Sequence, residues 1–295
     1  METALPRTIQ QKLEQTLAQW PQWQCSVPLT CVPAVVKVLT PGVSNYCVLV
    51  DAGAQYVVRI DGLNPSAHGL SRQAEWRTLA AAHDAGLAPA PRYFNPDLGS
   101  LVCDYLAPDQ TQQTNAADVG RLLRAVHQLP SRHHRLDLAE RILRYEKQLE
   151  HRGRTRGEVL LACRDAVTEL LHDVSESAQH SVLCHNDLLR ANRVYSSGRL
   201  QALDWEYCAM ANPWYDIAVV INGDSMTASE AHMLVAAYLG REPDALEQHT
   251  LHQFSCIYRY LELVWYLALE KPVLSSDEIE QKIAALHNML QKAPI

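Results

Sequence analysis

Residues 181–207 read SVLCHNDLLRANRVYSSGRLQALDWEY, and this stretch governs the reading of everything around it. His185, Asp187 and Asn192 stand at the spacing H-x-D-x-x-x-x-N. The apolar pair Val182-Leu183 precedes them and Val194-Tyr195 follows, so the polar residues occupy a loop between two strand-like runs. Ser196-Ser197-Gly198 then turns the chain, and Leu200 to Asp204 reads as the second strand of a hairpin. Asp204 therefore ends a strand close to where the loop began.

These residue types suit phosphoryl transfer. That reaction asks a protein to position a hydroxyl, hold one or two Mg²⁺ ions and offset the charge on phosphate oxygens. Asp187, a carboxylate on a loop, can orient a hydroxyl and accept its proton, while His185 braces that loop. Asn192 offers a neutral carbonyl oxygen to Mg²⁺, and Asp204 offers the anionic oxygen that a hard cation prefers. A lone His-x-Asp is more often a turn with a satisfied histidine. Here the apolar flanks, the hairpin and Asp204-Trp205-Glu206-Tyr207 support the catalytic reading, which follows the kinase pattern of a catalytic loop and a later metal-binding aspartate.

CHNDLLRAN (184–192) followed by LDWEYCAMANPWYDIA (203–218) resembles the choline/ethanolamine kinase branch of the aminoglycoside phosphotransferase superfamily, bacterial choline kinases in particular, and is also similar to thiamine kinase. The dense match runs from Val182 to Asn222. The resemblance implies an α+β, protein-kinase-like fold of two lobes, with an antiparallel-sheet N-lobe and a mostly helical C-lobe. It also implies ATP and Mg²⁺ as co-substrates and a small-molecule hydroxyl as acceptor. At Asp216 it favours a structural role, capping a helix or pinning the catalytic loop, over substrate binding.

The N-terminal half fits that frame. Ile9, Leu13, Leu17 and Trp20 predict an amphipathic helix over 8–20, and AVVKVL, YCVLV and QYVVRI predict three antiparallel strands. The turn Pro41 to Asn45 falls where a kinase lays its glycine-rich loop; Gly42 can take positive φ, and Ser44 and Asn45 can donate to phosphate. It has one glycine where protein kinases have three. Arg59, ending the third strand, matches the position of a phosphate-contacting basic residue, and an arginine fork suits phosphate oxygens. A helix over Ser66 to Gly86 carries Glu75, which the kinase likeness pairs with Arg59. Two further strands follow, and the polar run APDQTQQTN then marks a lobe boundary: residues 1–106 form a nucleotide-binding N-lobe, and 107–295 a C-lobe with the catalytic loop, metal and acceptor sites. Helices are predicted from 116 to the C-terminus.

Composition narrows the function. The 295 residues are 47% hydrophobic, with net charge −7, which suits a folded protein and argues against nucleic acid as a partner. Eight scattered cysteines without C-x-x-C spacing read as reduced thiols of a cytoplasmic protein. No signal pattern or membrane-spanning run is found, so no membrane insertion is expected. Six tryptophans and twelve tyrosines, against two phenylalanines, include a group after the catalytic loop that could hold an ammonium group. Trp205, Tyr207 and Trp265 are the candidates carried forward, with Glu206 as counter-charge. The leading expectation is an ATP- and Mg²⁺-dependent kinase of choline, ethanolamine or a similar amino alcohol. Alternatives are a thiamine kinase, an aminoglycoside or sugar phosphotransferase, and a nucleotide-binding pseudokinase. The residues leave open the acceptor, the choice of ATP or GTP, and the oligomeric state.

Overall fold

The computed structural model describes residues 5–41, 45–112, 114–151, 158–176, 181–269 and 272–291. In chain order the elements are α1 (Arg7–Ala18), β1 (Ala34–Pro41), β2 (Asn45–Asp51), β3 (Gln55–Asp61), α2 (Arg72–Asp84), β4 (Pro91–Asn95) and β5 (Ser100–Asp104). There follow α3 (Ala116–His127), α4 (Leu138–His151), α5 (Glu158–Glu176), β6 (Val182–Cys184), β7 (Arg193–Ser196), β8 (Arg199–Ala202) and β9 (Ala209–Ala211). The chain ends in α6 (Pro213–Gly223), α7 (Ala228–Leu239), α8 (Ala245–Ala268) and α9 (Ser276–Gln291). The fold is α+β, with an antiparallel sheet in its first part and helices in its second.

Two compact units result: Met1–Gln113 with Arg193–Tyr207, and Thr114–Asn192 with Cys208–Ile295. The sequence reading cuts the chain once, after Leu106. The hairpin β7–β8 explains the difference, because it hydrogen-bonds back to the first unit. Ala202 N–H donates to the Leu87 carbonyl at 2.8 Å, Asp109 N–H donates to the Tyr195 carbonyl at 2.8 Å, and the N–H groups of Ser197 and Gly198 donate to the Asp109 carboxylate.

The first unit is a five-stranded antiparallel sheet in the order β1-β2-β3-β5-β4. Strand alternation sends Val48, Val50, Tyr56, Val58 and Ile60 to one face, where Ile9, Leu13 and Leu17 of α1 close a core with Trp23 and Tyr93. The intervening Arg59 is thereby directed to the opposite face. Arg59 lies inside β3, which continues to Asp61, and does not end it. The predicted helix over Ser66 to Gly86 is shorter than expected. Pro65–His68 forms a separate 3-10 turn closed by Gly69 at φ 69°, and Ser71 then caps α2, its side chain accepting from Ala74 N–H. Gly86, at φ 73°, follows the helix end as expected.

In the second unit the 24-residue α8 is the central element: Phe254, Ile257, Leu261, Leu263 and Val264 are buried among side chains of α4, α5, α6 and α9. The helices predicted from 116 onward are present as α3 to α9. β6 pairs with β9, a partner that the sequence reading did not anticipate. Among the described residues no helix is long and apolar enough to cross a membrane, and no disulfide joins the eight cysteines.

Candidate active site

Each unit carries one group of the predicted residues. On the first, Arg59 grips Glu75 with both prongs of its guanidinium, Nη1 to Oε1 at 2.5 Å and Nη2 to Oε2 at 2.7 Å. Nη1 also donates to Asp204 Oδ1 at 2.6 Å. The expected ion pair is therefore formed, and it reaches the candidate metal ligand as well. Asp204 follows β8 with φ at 55°, a left-handed conformation that aspartate tolerates better than most residues.

Arg72, which the sequence reading passed over, ties this group together. It binds Glu75 at 2.9 Å, Asp61 at 2.7 Å and Glu206 at 3.0 Å. Its position carried a signal: a cation in the first turn of a helix runs against the helix dipole and needs acidic partners to hold it there. Four carboxylates, Asp61, Glu75, Asp204 and Glu206, thus surround two guanidiniums. Burial opposes the charge on Glu75, yet Arg59 and Arg72 outweigh it and hold the carboxyl below its ordinary range. At Glu206 the balance reverses: burial, then the neighbouring Asp204 charge, push its pKa up despite both arginines. The cluster holds more negative than positive charge.

The other residues predicted on this unit divide. Asn45 is buried at the start of β2, with its Oδ1 3.4 Å from an Arg72 nitrogen, whereas Gly42 and Ser44 lie outside the described residues. Trp205 is 1% exposed and its indole N–H donates to the Ala202 carbonyl, so it packs the interior and presents no face to a ligand. Glu206 is 5% exposed and belongs to the arginine cluster, which corrects its expected role as counter-charge in an aromatic acceptor pocket. Tyr207 lines a small recess with Arg72, Glu206 and His68.

On the second unit the predicted catalytic loop is internally bonded. Asn192 Nδ2 donates to both the backbone carbonyl and Oδ2 of Asp187, each at 2.9 Å, and Leu189 N–H donates to the same carbonyl at 2.8 Å. With its amide nitrogen so engaged, Asn192 has Oδ1 to offer a cation. Asn186, at φ 61°, supplies the sharp bend before Asp187. Asp216 is fully buried and accepts from the N–H groups of His185 and Asn186 at 2.8 Å each, which is the loop-pinning role that the resemblance favoured. His185 is itself fully buried, as a brace should be.

His127 extends this support. Its Nε2 lies 3.1 Å from Asp216 Oδ2 and its Nδ1 2.9 Å from the Tyr238 hydroxyl. His127, Cys184 and Asp216 bring ligand-type atoms within 4.8 Å of one another. These atoms are already hydrogen-bonded, Cys184 to the Ala211 carbonyl, so the group reads as a brace rather than a metal centre. A histidine on the apolar face of α3 beside Val119, Leu123 and Val126 was the available signal, since a buried imidazole requires partners.

A line of side chains on α8 leads away from the loop. An added Cβ at Gly223 would stand 2.4 Å from Leu189 Cδ2 and 2.9 Å from the Tyr258 hydroxyl, so Tyr258 and the catalytic loop meet where that side chain is missing. Glu262 and Tyr266 follow Tyr258 at four-residue steps, on one helix face. Trp265 is half-buried, edge-on to Tyr266 with ring centroids 4.9 Å apart. Burial, then Glu262, raise the pKa of both Tyr258 and Tyr266, and the Asp187 charge contributes at each. Of the three aromatic candidates carried forward, Trp265 alone belongs to this line; Tyr258 and Tyr266 come from the wider group of aromatic residues after the predicted catalytic loop.

The phosphotransferase enzyme family matches residues 35–249, most of the chain and both halves of this geometry. The chain belongs to the phosphotransferase enzyme family. Within the family it is 30% identical over 87 residues to the LicA protein of Haemophilus influenzae, a segment covering 28% of this chain and 33% of that relative. The chain thus matches about a third of that curated relative's length. The fold extends further. A choline/ethanolamine kinase family protein from Mesorhizobium loti superposes with a TM-score of 0.73 at 20% identity, covering 95% of both chains. A LicA structure in complex with AMP gives 0.72 at 21% identity, over 89% of this family member and 93% of that chain.

Proposed function

We propose that this phosphotransferase family member moves the γ-phosphate of ATP to the hydroxyl of a small amino alcohol, choline or ethanolamine. The observation that carries the reading is the hydrogen-bonded unit of Asp187 and Asn192, which presents a carboxylate and an amide oxygen from one rigid loop. Asp187 orients the acceptor hydroxyl and takes its proton as the bond to phosphorus forms. His185, Asn186 and Asp216 keep that carboxylate in place. Arg59, aimed by Glu75, steadies phosphate oxygens, with Asn45 at the start of β2 contributing from the same sheet.

Asn192 and Asp204 each offer an oxygen to Mg²⁺, and the surplus negative charge around Arg59 and Arg72 fits a divalent cation. Bound Mg²⁺ supplies charge compensation to the phosphates. The likeness to the Mesorhizobium loti protein supports choline or ethanolamine as acceptor, and the AMP complex of LicA supports an adenine nucleotide as donor. Tyr258, Glu262, Trp265 and Tyr266 suit an ammonium group, with about 0.5–2 kcal/mol available from each cation–π contact.

The test is ADP release from ATP and Mg²⁺ with choline, ethanolamine, thiamine or an aminoglycoside as acceptor, with Asp187→Asn in parallel. One amino alcohol should stimulate turnover, and the variant should lose roughly 10²–10⁴-fold in kcat while still binding nucleotide. Turnover of thiamine or an aminoglycoside alone would reassign the acceptor. Nucleotide binding without turnover of any acceptor would favour a pseudokinase.

A further inference from the structure

On the second unit, α9 sends a cation of its own onto the aromatic line of α8. Lys282 Nζ is 2.9 Å from Glu262 Oε2 and 5.4 Å from the centre of the Tyr266 ring, which Trp265 meets edge-on. The lysine is held there by more than this pair. Leu286, one turn further along α9, is fully buried in the core, and at the start of the helix Ser275 and Glu278 cap each other's backbone N–H groups. The Lys282 side chain is 34% exposed and that of Glu262 18%, so the pair is open to solvent from one side.

A carboxylate flanked by aromatic faces is how proteins hold an ammonium ion. In this chain that position is already filled, by a primary ammonium on a four-carbon stem.

We propose that Lys282 is a tethered competitor for the acceptor's ammonium group, occupying the Glu262–Tyr266 position until a free amino alcohol displaces it. The proposal rests on the amino-alcohol reading above. A tethered group competes at an effective concentration in the millimolar range, so a free acceptor binds only by outcompeting it. Lys282 therefore sets the acceptor concentration at which the enzyme works without touching the transferred phosphate, and it acts on KM with kcat left alone. The location agrees: Tyr258, one turn before Glu262, meets the catalytic loop at Leu189, and the Asp187 charge is felt at both Tyr258 and Tyr266.

The experiment compares wild type, Lys282→Met, Lys282→Gln and the same changes in a Glu262→Gln background. Steady-state turnover is measured with choline and ethanolamine, and choline binding without ATP is followed by tryptophan fluorescence. Lys282→Met and Lys282→Gln should each lower the choline KM and dissociation constant about tenfold at constant kcat. In the Glu262→Gln background the same replacements should change neither, because the carboxylate for which the two cations compete is gone. An unchanged or raised KM in the single variants, with wild-type turnover of an amino alcohol intact, overturns the proposal and leaves the amino-alcohol reading standing. Failure of wild type and variants alike to turn over or bind any amino alcohol overturns both.

Discussion

Glu75 shows what a single buried charge does here. It is 2% exposed and accepts from two arginines, so its ionised form is held by two buried cations whose desolvation cost it helps to offset. Glu75→Gln should cost about 3–5 kcal/mol at pH 7, the range for breaking a buried pair by removing one partner. The pH dependence has a definite sign. The folded pKa of Glu75 lies below its ordinary value of 4.5, so its contribution is complete above that value and is lost as pH falls through the lower, folded pKa. Denaturant melts of wild type and variant should differ most at pH 6–7 and converge below pH 4.5. A gap that stays constant down to pH 3 would mean that the carboxylate contributes by packing alone.

At the scale of elements, two glycines make opposite demands. At Gly120, on α3, an added Cβ would come within 2.2 Å of the Leu234 carbonyl oxygen on α7, which is backbone and cannot turn away. Gly120→Ala should lower stability by roughly 1–3 kcal/mol or more through overpacking, outweighing the better helix propensity of alanine. At Gly223 the obstacles are the ends of two side chains, Leu189 and Tyr258, which can move. Gly223→Ala should melt close to wild type but lose roughly 10- to 100-fold in kcat/KM, because Leu189 stands two residues from Asp187, the proposed base, and small displacements of such a group are costly. Loss of stability at both positions with activity spared at Gly223 would refute this division. The same contrast explains what the sequence made legible. β1 to β3 could be read because strand alternation is local, and the catalytic loop because its residues are contiguous. The start of α2 was misplaced because Pro65–His68 continues a helical pattern that Gly69 interrupts, and β9 has only Ala209-Met210-Ala211, too short to announce a strand. Arg72, His127 and Lys282 escaped because each gains its meaning from partners distant in sequence: Asp61 and Glu206, Asp216 and Tyr238, Glu262.

The whole molecule carries a net charge of −7, and its first unit gathers four carboxylates around two arginines at the proposed phosphate site. Free ATP, itself highly anionic, would meet repulsion there, whereas the Mg²⁺ complex brings the missing positive charge with it. Nucleotide binding should therefore depend on the metal as an electrostatic requirement, separately from any step of the reaction. At 100 times its Kd a ligand specific for the folded state adds about 2.7 kcal/mol, which for a protein of this size raises Tm by several degrees. Thermal melts should show that rise with ATP and Mg²⁺ together, and less than a degree with ATP and EDTA or with Mg²⁺ alone. Asp204→Asn separates the contributions: it removes one carboxylate, which eases the repulsion of free ATP, and one Mg²⁺ ligand, which weakens the metal complex. The variant should narrow the difference between the two nucleotide conditions from both sides. Equal stabilisation of the wild type by ATP with and without Mg²⁺ would show that the two arginines alone neutralise the phosphates, and would remove Asp204 from the set of metal ligands.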